Sequence, residues 1–347
     1  MSTNNKIINI VNRELNLFFN KKKREFRDEN KFFIDILDSL SEYTMRGGKR
    51  IRPILASYGY EAVTGKISKD VVRLSIFLEL IQSSLLIHDD IIDQDKFRRG
   101  GQTMHEKYSE YFSQKNENFG KSMAIVIGDL AMNFAFEIIS DSNFTNNIKN
   151  QIVFLVSKYI AQVDFGQSMD IKLTYMQKYQ EKDIYDIHYF KTMIYTTMMP
   201  LMVGATLGNA NDKQKKHIAE YAKNTGIAFQ IQDDIMGLFG DEKKLGKPIG
   251  SDLSENKKTL LLFKAYQNAS LREQKILSSV VGSKKITKLQ LKEVRNIVVK
   301  TKSLQYSQMM ARKYINKSIK IIKKSFINDK VKNKLIKMAH YIIDRDK

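Results

Sequence analysis

The stretch Ile87-His88-Asp89-Asp90-Ile91-Ile92-Asp93 closes an apolar segment that begins near residue 70 and repeats large hydrophobic residues every three or four positions. That period is the mark of a helix. Asp89 and Asp93 stand four apart, so they share one face and can jointly hold a hard cation. Asp90 lies about 100° round the helix, where it suits an outer or partial ligand. Carboxylates at a helix C-terminus oppose the helix dipole, so a positive partner is expected beside them, with Mg2+ the natural choice. Taken alone, an Asp-Asp-x-x-Asp string is weak, because such triplets also decorate solvated helix faces.

A second acidic pair strengthens it. Phe229-Gln230-Ile231-Gln232-Asp233-Asp234-Ile235-Met236-Gly237 again sets two acids in an apolar helical stretch. Two buried acidic clusters facing each other would cost several kcal/mol per uncompensated charge, which divalent ions and a polyphosphate would relieve. Cations complete the set. Arg98-Arg99-Gly100-Gly101 follows the first motif, and Gly47-Gly48-Lys49-Arg50-Ile51-Arg52-Pro53 places Lys49 and Arg52 on one side of a helix start. Backbone N–H groups there favour an anion. Lys191-Thr192 opens an uncharged helix, and Lys247 and Lys257 follow the second acidic motif. Singly, each is a surface cation; their association with short glycine turns and acidic pairs points to more than a solvated surface.

The rest of the chain fits around these motifs. Helical periodicity recurs from residue 31 to 344, interrupted at Gly47-Gly48, Arg98–Thr103, Asp141–Asn143 and Gly240–Asn256. No alternating strand pattern or Gly/Ser/Pro linker breaks it, so one all-α domain over 1–347 is expected, a bundle of roughly ten or more helices around a central cavity. Residues 1–30 read as a peripheral amphipathic helix with a basic connector. Met193–Asn211 is uncharged for 19 residues, but its Pro200, glycines and threonines favour a buried core helix over a membrane span. The absence of cysteine excludes disulfides and thiol chemistry and suits a reducing cytoplasm. The net charge of +20 fits a lysine-rich surface and does not by itself decide function.

With these residues together, the chain resembles the trans-isoprenyl diphosphate synthases, or polyprenyl synthetases, and most of all geranylgeranyl diphosphate synthases. The match keeps motif order and spacing from about residue 43 to 260. The resemblance implies three Mg2+ ions, with Asp89, Asp93 and Asp233 as ligands and Asp90 and Asp234 as possible ones. It implies Arg98 on an allylic diphosphate, Lys191 and Lys247 on its leaving oxygens, and Lys49, Arg52, Arg99 and Gln82 on isopentenyl diphosphate. Thr192, Tyr195, Gln230 and Asp170 would line the reacting carbons, and Lys257 would add a cation near the leaving group. One departure stands out: the second motif usually ends in a third Asp, here Gly237, and Asp252 in the following loop is the candidate outer carboxylate.

The implied reaction joins isopentenyl diphosphate to dimethylallyl, geranyl or farnesyl diphosphate in a cytoplasmic homodimer. No nucleic acid or transmembrane segment is involved, though weak contact with a membrane surface is. The product tail would run back along the first acidic helix past Leu85, Ser84, Ile81 and Phe77. The alternatives are a class I terpene cyclase, which needs no second diphosphate site, and a non-catalytic basic helical protein, which needs no acidic pairs.

Overall fold

The computed structural model describes residues 3–240, 249–325 and 327–344. It is almost wholly helical, in line with the all-α reading. The only strands among the described residues are β1 (Phe97–Arg98) and β2 (Gly101–Gln102), a two-residue antiparallel ladder where the sequence showed a break. Contacts divide the chain into two compact units, residues 1–154 with 203–209 and residues 155–202 with 210–347.

The first unit begins with α1 (Thr3–Glu25), whose Ile7, Val11, Leu15 and Phe19 form one buried stripe at four-residue spacing. The lysine run 21–24, expected in a connector, continues this helix. Lys22 is buried, with Nζ 2.6 Å from Glu137 Oε1 and 2.8 Å from Glu25 Oε2, and it lies over the Phe134 ring. That pairing makes burial of a lysine affordable. A short turn leads to α2 (Lys31–Met45), capped by the Asn30 side chain on the Phe32 N–H. Then come α3 (Ile51–Thr64), α4 (Lys69–Leu74), α5 (Phe77–Asp93), α6 (Met104–Ser109) and α7 (Glu117–Ser140). Helices α5 and α7 meet at Gly128, where a Cβ would collide with the His88 ring. His88 Nε2 lies 3.2 Å from the Ile125 carbonyl oxygen, so this histidine serves packing.

The second unit takes in most of α8 (Asn146–Tyr175), then α9 (Glu181–Ile187), a π-helical segment (His188–Met198), and the start of α10 (Met199–Leu207), whose last five residues belong to the first unit. Lys191 and Thr192 therefore sit inside a π segment, and do not open an α-helix as the sequence suggested. The long α11 (Asp212–Phe239) starts at a capping box formed by Asn211 and Gln214. It packs on the π segment through Gly226, where a Cβ would strike Met193 and Thr197. Short helices α12 (Ser251–Ser254), α13 (Leu260–Asn268), α14 (Leu271–Val280) and α15 (Lys288–Lys300) follow. Helix α16 (Ser303–Lys323) lays Ser303, Ser307, Ala311, Ile315, Ser318 and Ile322 inward and packs on α11, its serines and alanine alternating with two isoleucines, and α17 (Asp329–Ile343) ends the fold.

The uncharged stretch 193–211 is interior: Met193, Met199, Leu201 and Ala205 are fully buried. Among the described residues, two helical stretches are long and apolar enough to cross a membrane, Lys69–Asp93 and α7; the first is mostly buried and the second largely exposed.

A buried ion pair ties the first unit together. Arg50, in left-handed conformation ahead of α3, places Nη1 2.6 Å from Glu79 Oε2 on α5, with side-chain exposures of 2% and 6%. It also donates to the Thr44 carbonyl and to Asn12 Oδ1. Arg50→Ala strands Glu79 and is expected to cost about 3–5 kcal/mol in chemical denaturation; a loss below about 1 kcal/mol would contradict the assigned role.

Candidate active site

The residues of the first unit converge where two glycine loops interlock. Gly47 and Gly48 have φ of +87° and +115°, values that exclude most side chains. The Arg99 guanidinium fills the space beside Gly48, and its Nη1 donates to the Gly47 carbonyl at 3.0 Å. In return, Arg46 reaches across to the hairpin, donating from Nη1 to the Gln102 carbonyl at 2.6 Å and occupying the room left by Gly101. Lys49 is exposed on this platform, and Arg52 lies half-buried in the first turn of α3. Partial burial, then the charges of Arg50 and Arg52, hold the Arg99 guanidinium below its usual pKa. A cationic cluster of this kind is stabilised by an anion. Gln82 is buried, with its Oε1 lacking a hydrogen-bond partner.

The first acidic motif occupies the last turns of α5. Asp89 and Asp93 are half-buried on one face, whereas Asp90 is fully buried. Tyr43 Oη donates to Asp90 Oδ2 at 2.6 Å, and Arg98 Nε donates to Oδ1. Burial pushes the Asp90 carboxyl up to about 6, against the pull of Arg98 and the Tyr43 bond. Arg98 also reaches Asp95 Oδ2 at 3.0 Å through Nη2. The arginine expected on the allylic diphosphate thus braces the acidic motif from behind.

In the second unit, the pattern repeats with different partners. Asp233 is exposed, while Asp234 is buried and bonded twice. Gln230 Nε2 donates to its Oδ1 at 2.7 Å, and His188 Nε2 lies 3.1 Å from its Oδ2. Burial raises the Asp234 pKa, opposed by His188. Lys191 Nζ sits 2.5 Å from Asp170 Oδ2, and Gly166 lets α8 approach the backbone of Phe190 and Lys191. Thr192 is buried and Tyr195 half-buried along the same segment. Lys257 Nζ pairs with Glu255 Oε2 at 2.6 Å. At Gly237 an added Cβ would collide with the Asp252 carboxylate, so Asp252 occupies the room a third motif side chain would take. Lys247 lies outside the described residues.

Tyr43, Arg46, Arg50 and His188 escaped the sequence reading. Arg46 and Arg50 do flank the Gly-Gly turn, a local signal. Tyr43 and His188 act on carboxylates 47 and 46 residues away, with nothing nearby to betray them.

Comparisons with known proteins place the chain in a family. The polyprenyl synthetase family model matches residues 34–298. A geranylgeranyl diphosphate synthase from Saccharolobus solfataricus is 33% identical, the alignment covering 96% of this chain and 99% of that one. A geranylfarnesyl diphosphate synthase from Aeropyrum pernix is 30% identical over 87% of this chain and 91% of its own. A crystal structure of geranylgeranyl pyrophosphate synthase from Corynebacterium glutamicum, complexed with isoprenyl diphosphate and magnesium, superposes with a TM-score of 0.93 at 28% identity, covering 99% of this chain and 100% of that one. The chain belongs to the polyprenyl synthetase family and is a trans-prenyltransferase.

Proposed function

We propose that this prenyltransferase condenses isopentenyl diphosphate with dimethylallyl, geranyl or farnesyl diphosphate, using three Mg2+ ions, to make geranylgeranyl diphosphate. The observation that carries this reading is the shared design of the two Asp-Asp doublets. In each, the second acid is buried and hydrogen-bonded by protein, while the first remains accessible. Asp89 and Asp93, hard oxygen donors one helical turn apart, fit Mg2+, and Asp233 fits a further ion. Asp90 and Asp234, already held by Tyr43, Arg98, His188 and Gln230, orient the motifs. Asp252 replaces the missing third acid as an outer carboxylate.

Bound Mg2+ supplies charge neutralisation for the departing diphosphate. Lys191 and Lys247 grip its oxygens and Lys257 adds charge nearby, so the allylic C1–O bond breaks with its electron pair leaving on diphosphate. Oxygens of Thr192, Tyr195 and Gln230 line the resulting allylic cation without capturing it. Lys49, Arg52, Arg99 and Gln82 hold isopentenyl diphosphate, whose double bond supplies the electrons of the new C–C bond. A proton then leaves for the diphosphate just released. No side-chain nucleophile takes part. A terpene cyclase has no use for the Lys49, Arg52 and Arg99 platform.

The absence of cysteine suits a cytoplasmic setting. Incubation with Mg2+, labelled isopentenyl diphosphate and each allylic primer is expected to yield elongated prenyl diphosphates. Asp89→Ala should lower turnover by orders of magnitude at an unchanged melting temperature; near-normal turnover in that variant contradicts the metal assignment.

Homodimerisation is part of the same proposal. Helix α7 exposes Ile125 and Val126, and α8 exposes Phe165 and Tyr175, the latter two at 69% and 85%. Exposed apolar side chains on each of these helices suit burial against a second copy of the chain. Light scattering at micromolar concentration should report a dimer, and a monomer contradicts it.

Chain length follows from α5. Upstream of Asp89, Leu85 is half-buried, while Ser84, Ile81 and Phe77 are buried, and the Ser84 hydroxyl has no hydrogen-bond partner. No aromatic side chain stands at positions 84 or 85 to block a growing tail; Phe77 lies about 18 Å from Asp89 along the axis, at 1.5 Å per residue. Ser84→Phe, or Leu85→Phe should the buried site not accept the ring, is expected to shift the product towards farnesyl diphosphate. An unchanged chain-length distribution in both variants would show that the tail runs elsewhere.

A further inference from the structure

The positive charge of this protein is not spread along the chain. Residues 284–344 carry 17 Lys and Arg against three Asp and Glu, whereas the preceding 283 residues hold 39 against 34. A uniformly lysine-rich composition does not explain this, because basic residues roughly double in density here while acidic residues fall to less than half. The charge is also ordered in space. Helix α16 buries the face of Ser303, Ser307, Ala311, Ile315, Ser318 and Ile322, and all six cations from Ser303 to Lys324, Arg312, Lys313, Lys317, Lys320, Lys323 and Lys324, are exposed. At 100° per residue they fall within an arc of about 140° on the outward side. From Ser303 to Lys324 there is no acidic residue. None of the six forms a salt bridge among the described residues, although lysines elsewhere, such as Lys22, Lys191, Lys257 and Lys264, are paired. A shallow hollow lined by Gln305, Gln308, Met309, Arg312, Lys313 and Asn316 lies on this same side.

We propose that the outward face of α16, with the basic residues of α15 and α17, docks on an anionic phospholipid bilayer. Two observations favour a bilayer over a polynucleotide. Large apolar side chains stand exposed among the lysines, Leu289 at 67%, Met309 at 54% and Val299 at 52%, a mixture that suits a headgroup boundary. Of the 17 cations only Arg295 and Arg312 are arginines, and Arg295 already donates to the Leu238 carbonyl. The forked donors that read phosphate and base edges are therefore nearly absent, while lysines supply the diffuse attraction that an anionic leaflet rewards. Docking would deliver an apolar-tailed product at the surface into which it partitions. That benefit rests on the prenyltransferase reading; the binding itself rests on charge and exposure alone.

The test is co-sedimentation of the full chain with vesicles of phosphatidylglycerol and phosphatidylcholine (3:7) or of phosphatidylcholine alone, in about 0.1 M salt. Turnover with water-soluble substrates is measured on the same samples. The protein should sediment with the anionic vesicles only. Lys313→Gln/Lys317→Gln/Lys320→Gln should weaken that partitioning about a hundredfold, with turnover and melting temperature unchanged. Absence of sedimentation, equal sedimentation with both vesicles, an unaffected triple variant, or tighter binding to a 30-nucleotide RNA or duplex DNA at matched phosphate concentration overturns the proposal. A protein that binds vesicles but turns nothing over leaves the docking intact and refutes the catalytic reading instead.

Discussion

The arrangement of the first unit depends on a carboxylate that is kept out of water. Asp90 is fully buried at the end of α5, held by Tyr43 from α2 and by Arg98 from the hairpin. Burying an unpaired carboxylate is prohibitive, so α2 and the hairpin must stay where they are for α5 to end as it does. That fixes the rotation of the helix, and with it the direction of Asp89 and Asp93. The hairpin is locked in turn by Arg46 and Arg99 against the glycine loop before α3, and Arg50 anchors that loop to Glu79. An acidic motif and a cationic platform are thereby assembled from one connected set of hydrogen bonds. Such connected networks are stiff when every member is satisfied.

The second unit reaches the same end by another route. Asp234 is buried against His188 and Gln230, which leaves Asp233 facing outward. Because His188 opens the π segment, the carboxylate also pins the stretch that carries Lys191, Thr192 and Tyr195. π-helical turns store a local cost and recur at functional sites, consistent with this placement. The Gly237 departure from the family pattern is absorbed locally, since the Asp252 carboxylate stands where a side chain at 237 would be. Two different partner sets thus bury the second acid of each doublet and leave the first more exposed.

Much of this was legible in the sequence, and the rest was hidden for physical reasons. The 3.6-residue period revealed the helices because each buries one face, and the spacing of Asp89 and Asp93 revealed a shared face directly. The π segment was invisible, because an uncharged run such as Met193-Ile194-Tyr195-Thr196-Thr197-Met198 carries no contrast from which to read a period. The continuation of α1 through Lys22 was misread because the Glu137 partner that makes its burial tolerable lies 115 positions away. The bonds of Arg98 to Asp90 and Asp95 could not be read from its motif, because they appear only once the hairpin folds back. Local patterns announce which residues matter; long-range pairings decide what each one does.

The central claim is that in each Asp-Asp doublet the first acid serves the metal and the second serves the fold. Its most direct measurement compares Asp233→Asn with Asp234→Asn by thermal unfolding and by Mg2+-dependent calorimetric binding of a bisphosphonate analogue. The account predicts that Asp233→Asn weakens Mg2+-dependent binding at least tenfold with an unchanged melting temperature. Asp234→Asn should instead lower the melting temperature by several degrees, through about 1–3 kcal/mol of lost buried hydrogen bonding. Reversal of the two effects, or indistinguishable behaviour of the two variants, would contradict it.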